Sequence, residues 1–174
     1  MAKQITNEDV YEVYWEGPFT EKQFKKQLKR KKAPNAWVLY AMVSDHPLYG
    51  KDVITYIGKA VLQPIETRIE QHKWWAKKIY VASVYKFDNW QKSNDDWGYS
   101  ESLIGEDNNP EISKIEELLI YSMAPSGNQR NKNTAKDSET IRIFNTGEHA
   151  NIAGEISGYY QLEHMPDPTV LDKE

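Results

Sequence analysis

The sequence predicts an α/β (α+β) fold, because strand-like runs alternate with segments of helical spacing along one chain. Runs rich in β-branched and aromatic residues indicate three strands of a small, mostly antiparallel sheet, and they cover residues 37–43, 53–57 and 79–87. Apolar residues recur every three or four positions in three candidate helices, which cover residues 20–32, 63–77 and 110–123. We therefore expect a three-stranded sheet flanked by helices, with additions at both ends of the chain.

The composition is that of a globular protein. The chain has 174 residues, 39% of them hydrophobic and 28% charged, which suffices for one domain with a sizeable core. It contains no cysteine, so disulfides and thiolate metal sites are excluded. No leader-like apolar stretch follows Met1, and no run approaches the roughly 20 apolar residues of a membrane span. A soluble, cytoplasmic protein is expected.

The first 35 residues are predicted to form an N-terminal extension with a basic helix. Residues 11–15 alternate like a short strand before Gly17 and Pro18. Thr20 followed by Gln23 has the spacing of a capping box, which predicts a helix start.

The middle of the chain, residues 36–130, is predicted to be the core. The run 37–43 is a buried strand and 53–57 its antiparallel partner, joined by a loop over 45–52 that is longer than a tight hairpin needs. Pro64 opens a helix expected to reach about Lys77, since proline is tolerated in a first turn.

The last part of the chain has one clear helix and one clear strand. Residues 88–109 are predicted to be a long polar loop, and Pro110 opens the acidic helix. Residues 131–174 are predicted to form a C-terminal extension packed on the core, with a strand at 141–144.

One stretch concentrates residues suited to chemistry: Thr55-Tyr56-Ile57-Gly58-Lys59-Ala60, followed by Arg68 and His72. Gly58 is expected to let the backbone turn, so that Lys59 projects from the strand end. Arg68 and His72 are four residues apart and would share one helix face. A phenol, two cations and an imidazole on one patch suit a phosphate better than a neutral substrate.

These residues resemble the motifs of the GIY-YIG nuclease superfamily. Val38-Leu39-Tyr40 matches a degraded first motif, with Val38 where the family has glycine, and Tyr56-Ile57-Gly58 is an intact second motif. The matching positions follow in the family's order: Tyr40, Tyr56, Lys59, Arg68, Glu116 and Asn128. The resemblance covers about residues 36–130 and implies the GIY-YIG fold.

The resemblance also implies an activity, namely a metal-dependent endonuclease that hydrolyses DNA phosphodiester bonds with Mg²⁺ or Mn²⁺. It makes Glu116 the metal ligand and Tyr56 the general base or proton relay. Lys59 and Arg68 would hold the scissile phosphate and favour the Tyr56 phenolate. Tyr40 would support the site from the neighbouring strand.

Other residues have less definite roles. His72 would protonate the leaving oxygen or contact phosphate, or it has no role. Asn128 would anchor the helix of the metal site or contact DNA. Glu117 could be confused with Glu116, but it lies about 100° round the helix.

The net charge of −4 argues against a protein that coats nucleic acid without sequence preference. The lysines nevertheless cluster in two blocks along the chain. Lys73 and Lys77 would share a helix face and extend a positive track away from the active site. The candidate DNA-binding residues are Lys25, Lys29, Arg30, Lys73, Lys77 and Lys78. The alternative for each block is a solvated helix face.

Three settings fit such an enzyme: a restriction-type enzyme, a phage or mobile-element nuclease, and a nuclease of DNA repair or of branched DNA. The first would favour a homodimer, because one such site cuts one strand. The alternative from a different class is a catalytically silent DNA-binding or assembly module that retains the fold.

Overall fold

Alternating apolar residues and capped helical segments give the chain its elements. The computed structural model describes residues 8–30, 37–61, 63–72, 76–87, 99–102 and 109–163. The strands are β1 Asp9–Phe19, β2 Leu39–His46, β3 Gly50–Lys59, β4 Lys78–Phe87, β5 Tyr99–Ser102, β6 Ile141–Gly147 and β7 Glu155–Ser157. The helices are α1 Glu21–Arg30, α2 Ile65–Glu70, α3 Pro110–Met123 and α4 Gly158–Glu163, with a 3₁₀ turn at Lys136–Ser138.

The described strands form one sheet in the order β3-β2-β4-β1-β6-β7, with β5 paired to β4. The α+β class is confirmed. The expectation of three strands is wrong, because the sheet has seven strands within the described residues. Every pairing is antiparallel except that of β1 with β6, which is parallel.

β1 is a long central strand rather than the short one expected at residues 11–15. Tyr11, Val13 and Trp15 alternate along it and are at most 1% exposed, as the period of a buried strand face requires. β1 lies between β4 and β6. The segments predicted as terminal extensions therefore contribute strands to the same sheet as the segment 36–130.

The β2–β3 hairpin has longer strands and a shorter loop than predicted. The strands pair from Leu39 with Lys59 as far as His46 with Gly50, so the connection is a turn over residues 47–49. Two register shifts bend the ladder, and Gly50 has a φ of 94°, a conformation that suits glycine. The predicted long loop over 45–52 is wrong.

Two further predictions along the chain differ from the structure. α2 ends at Glu70, whereas a helix reaching Lys77 was expected; residues 73–75 lie outside the described part. Tyr99–Ser102 forms β5 inside the segment predicted as a loop. The helix predicted at 110–123 is confirmed as α3, with Asn109 accepting the Glu111 N–H at its start. The Thr20–Gln23 capping box is also confirmed.

The sheet has a packed layer on each face. On one face, α3 buries Ile112, Ile115 and Leu119 against β1, β2, β4 and β6. On the other, α1 and α2 pack Phe24, Ile65 and Ile69 against β2 and β4. β3 lies at the sheet's edge, so side chains from both faces can meet there. No helix among the described residues is long and apolar enough to cross a membrane.

Candidate active site

The candidate site lies at the free edge of β3, where the two faces of the sheet meet. Successive side chains of a strand point to opposite faces, so Tyr56 and Lys59 leave β3 on different sides. Tyr56 packs with the α1–α2 layer, and Lys59 reaches Glu116 and Ser113 of α3. An interior strand would keep these groups apart, whereas the edge strand lets them border one space.

That space is a cavity of about 690 Å³. It brings together side chains from β3, α2, α3 and the loop after α3. Of the residues predicted for catalysis, those that line it are Tyr56, Lys59, Arg68, Glu116 and Asn128. Tyr40 is fully buried behind them, and His72 contacts Tyr40.

Lys59 and Glu116 form the charged centre of the cavity. The Lys59 Nζ lies 3.1 Å from Glu116 Oε2 and donates a 2.7 Å hydrogen bond to Ser113 Oγ. The Glu116 side chain is 14% exposed. Burial raises the pKa of Glu116 above its usual range, although Lys59 and Arg68 pull it down. The carboxylate thus depends on neighbouring cations to stay ionised.

Two phenols and an imidazole pack on the other side of β3. A 2.9 Å hydrogen bond joins the Tyr40 hydroxyl to Nε2 of His72, and the Tyr56 and His72 ring centres are 4.5 Å apart. Burial, with the Tyr56 phenol adding to it, raises the pKa of Tyr40 far above its usual value. Burial and then Arg68 lower the pKa of His72, so its neutral form dominates at pH 7.

Gly58 is needed for a different reason from the predicted one. It lies inside β3 opposite Tyr40, not in a turn. A Cβ at this position would lie 2.6 Å from the Tyr40 hydroxyl oxygen and 2.8 Å from Cε1 of Tyr56. The glycine therefore makes room for the two rings that border the site.

We expect Gly58→Ala to impair both folding and function. The new methyl group must displace the buried Tyr40 ring or the Tyr56 ring, and overpacking of this kind costs about 1–3 kcal/mol. The free energy of unfolding, measured with urea, should fall by this amount. Gly154→Ala is the matched control, because nothing lies within 4 Å of its Cβ position. Equal stability of the two variants would contradict the assignment.

Asn128 secures β3 from its open side. Its Oδ1 accepts the Ile57 N–H at 3.0 Å, and its Nδ2 donates to the Ile57 carbonyl at 2.8 Å. The neighbouring Gly127 N–H bonds the Thr55 carbonyl at 2.7 Å. The loop after α3 thus continues the ladder that an edge strand lacks. Asn128 anchors β3 to this loop, where the sequence suggested an anchor for the helix or a DNA contact.

Arg68 and His72 do not share a helix face in the way predicted. Arg68 is on α2, whereas His72 lies in the turn that follows it. The Arg68 guanidinium donates to Gln71 Oε1 at 2.9 Å and faces the cavity with Gln63. Across the cavity, Arg130 from the loop after α3 is a further cation.

Three of the predicted DNA-binding lysines have carboxylate partners. Lys25 Nζ lies 2.9 Å from Glu21 and 3.6 Å from Glu70; Lys77 pairs with Asp45, and Lys78 lies 3.0 Å from Asp52. Lys77 directly precedes β4 and Lys78 begins it, so neither continues α2 and the predicted shared helix face is wrong. Lys73 lies outside the described residues. Lys29 and Arg30 are exposed at the end of α1.

The cavity suits a metal ion held by few protein ligands. Among the described residues, no group of three or more His, Asp or Glu is placed to hold a metal. Glu116 and Glu117 both line the cavity. One carboxylate is enough for Mg²⁺, which keeps several waters and takes phosphate oxygens as its other ligands. The residues therefore fit Mg²⁺ at Glu116, where the Lys59 ammonium would keep its hydrogen bond to Ser113.

Sequence reasoning missed several members of the site. Ser113, which binds Lys59, precedes Glu116 by three residues and so shares its helix face; that spacing was a usable signal. Gln71 binds Arg68 and follows it by three residues, so it carried the same signal. Gln63 and Arg130 carried no such signal, because loops bring them to the cavity.

No protein-family model, no curated protein and no solved structure matches the chain.

Proposed function

We propose that the chain is a metal-dependent endonuclease of the GIY-YIG type that hydrolyses phosphodiester bonds in DNA. One observation carries the proposal. Tyr56, Lys59, Arg68, Glu116 and Asn128 come from separate parts of the chain and border one cavity. These are the positions at which the sequence resembles the nuclease motifs, and a structure with Tyr56 and Glu116 on opposite sides would have excluded it.

Each of the residues around the cavity has its own role in the proposed hydrolysis. Lys59 and Arg68 bind the scissile phosphate and stabilise the charge that builds up on its oxygens. In its phenolate form, Tyr56 accepts a proton from the water that attacks phosphorus. The bond to the leaving oxygen breaks, and that oxygen takes a proton from the solvent. Because the pKa of His72 is lowered, we assign His72 to hold the Tyr40 phenol rather than to protonate the leaving oxygen at pH 7.

Glu116 would hold the metal ion. Mg²⁺ or Mn²⁺ bound there would add positive charge next to the phosphate. The protein supplies a carboxylate inside the cavity. Ser113 would remain hydrogen-bonded to the Lys59 ammonium when the carboxylate binds the metal ion.

The test is cleavage of supercoiled plasmid. Wild-type protein with Mg²⁺ or Mn²⁺ should convert the plasmid to nicked or linear DNA, and EDTA should stop the reaction. Arg68→Ala should lose cleavage while most of the DNA binding survives, since α1 and the rest of the surface remain. Intact plasmid after incubation with folded wild-type protein and either metal would refute the nuclease.

A silent DNA-binding module is the second candidate, and one contact favours it: Lys59 already neutralises Glu116 at 3.1 Å. A permanent ion pair would leave no carboxylate for a metal. Binding of DNA by wild-type protein without cleavage, in both metals, would support the module.

We further propose that double-strand cleavage needs two protomers or two successive visits by one, because one site of this kind cuts one strand. A homodimer with both cavities facing one duplex would serve a restriction-type role. Light scattering should then show a dimer at least in the presence of DNA, and a monomer at every concentration would count against that role.

A further inference from the structure

One face of α1 carries an unusual concentration of positive charge. Four exposed cations point away from the sheet: Lys22, Lys26, Lys29 and Arg30. At 100° per residue they fall within a stripe about 100° wide, opposite the buried Phe24. We call these four residues the α1 stripe. Within the part of the chain that the structure describes, no ion pair involves any of them.

The α1 stripe is costly to the isolated protein. Lys22, Lys26 and Arg30 follow each other at four-residue spacing, where like charges destabilise a helix. Lys22 is also in the first turn, where the helix dipole disfavours a cation. Lys29 and Arg30 lie in the last turn, where the same dipole favours a positive charge. The dipole does not stabilise Lys22 or Lys26 in this way.

Most other lysines of the described residues are arranged differently. Lys25 on the same helix pairs with Glu21 and Glu70, and Lys59, Lys77, Lys78 and Lys86 each have a carboxylate partner. In a chain with a net charge of −4, carboxylates are plentiful. Four cations that lie together without a carboxylate partner among the described residues therefore indicate an anionic ligand from outside the chain.

The position of α1 connects the stripe to the cavity. Phe24 of α1 packs in the same cluster as Ile65 and Ile69 of α2, the helix that carries Arg68. Lys25 Nζ lies 3.6 Å from Glu70 at the end of α2. α1 thus lies beside α2, on the face of the sheet that also carries Tyr56 and His72.

We propose that the α1 stripe binds the phosphate backbone of duplex DNA and leads it to the cavity; this rests on the proposed nuclease function. The stripe extends about 12 Å along the helix axis, long enough to face several phosphates. α1, all of which is described, has no exposed aromatic residue on which unpaired bases could stack. A duplex backbone therefore fits better than a single strand.

The experiment measures binding separately from cleavage. The full chain is titrated onto a fluorescent 20-base-pair duplex in EDTA, and anisotropy gives Kd between 50 and 200 mM KCl. Each phosphate contact steepens the salt dependence by about 0.9. Lys22→Gln with Lys26→Gln should flatten the slope of log Kd against log salt by about two, and neutralising all four residues should flatten it by three to four.

The control removes the same charge elsewhere. Lys51→Gln with Lys114→Gln changes two lysines on the hairpin and on α3, outside the α1 stripe. Its slope should equal that of the wild type. Equal losses in both double variants would show a general charge effect and overturn the proposal, as would unchanged binding of the stripe variant.

Two further measurements complete the test. Lys22→Gln with Lys26→Gln should melt no lower than wild type, because it removes repulsion, so weaker binding cannot come from misfolding. A single strand or an RNA duplex bound more tightly than duplex DNA through the same residues would overturn the choice of partner. DNA binding without cleavage in Mg²⁺ would refute the proposed nuclease activity but not the proposed DNA binding by the α1 stripe.

Discussion

Glu116→Gln will abolish plasmid cleavage and raise the melting temperature of the protein. Loss of the carboxylate removes the proposed metal ligand, a contribution of several kcal/mol, so cleavage should fall at least about 100-fold. The free energy of unfolding should rise, because burial disfavours the ionised form of Glu116 more than the Lys59 ammonium favours it. The glutamine oxygen can still accept from Lys59, so the packing is kept.

The stability gain should depend on pH. The pKa of Glu116 is raised in the folded protein, so the folded state holds its proton to a higher pH than the unfolded chain does. Below the unfolded pKa of about 4.3 both states are protonated, and wild type and variant should differ least. As the pH rises above that value the wild type loses stability that the variant keeps.

Glu66→Gln is the control, since this residue lies on α2 and not in the cavity lining. It should cut and melt like wild type. Full activity of Glu116→Gln would remove the residue from the mechanism. Loss of cleavage on Glu117→Gln alone would transfer the role to Glu117, which also borders the cavity.

Asn128→Ala will destabilise the protein strongly and abolish cleavage with it. Asn128 is 7% exposed and bonds both the N–H and the carbonyl of Ile57. The alanine leaves two buried backbone groups without partners, at about 1–3 kcal/mol each. We expect the free energy of unfolding to fall by about 2–4 kcal/mol, which lowers the melting temperature by roughly 5–10 °C in a chain of this size.

Two variants make this test specific. Asn151→Ala replaces an exposed asparagine and should change the melting temperature little. Asn128→Asp keeps an acceptor for the Ile57 N–H but, when ionised, turns an oxygen towards the Ile57 carbonyl. It should therefore be less stable than wild type at pH 7 and recover as the pH falls and the carboxyl regains a proton. A melting temperature of Asn128→Ala within 2 °C of wild type would contradict the proposed anchoring of β3 by Asn128.

Local sequence signals determined several elements of this protein. The Thr20–Gln23 capping box marks the start of α1, and the apolar spacing after Pro110 gives α3. These signals work because the hydrogen bonds and the apolar period of a helix are set by residues three or four apart. Strands β2, β3 and β4 were also predicted from local runs of apolar, β-branched and aromatic residues, although their ends were misplaced by a few residues.

The arrangement of the sheet was decided by the tertiary structure alone. Nothing local to residues 9–19 shows that β1 lies between β4 and β6, because its partners are at least 60 residues away along the chain. The expected limit of three strands failed for this reason. The length of the hairpin was also misjudged: residues predicted as a polar loop pair across the hairpin, as far as His46 with Gly50.

For the candidate site, the sequence by itself supplied the residue types and their order, and the tertiary structure supplied their surroundings. The sequence singled out Tyr56, Lys59 and Glu116, but not that Lys59 is shared between Glu116 and Ser113. It singled out Gly58, but the reason is the Tyr40 ring across the hairpin. Side-chain partners, burial and the resulting pKa directions depend on distances between segments far apart in sequence, and only the folded chain fixes those distances.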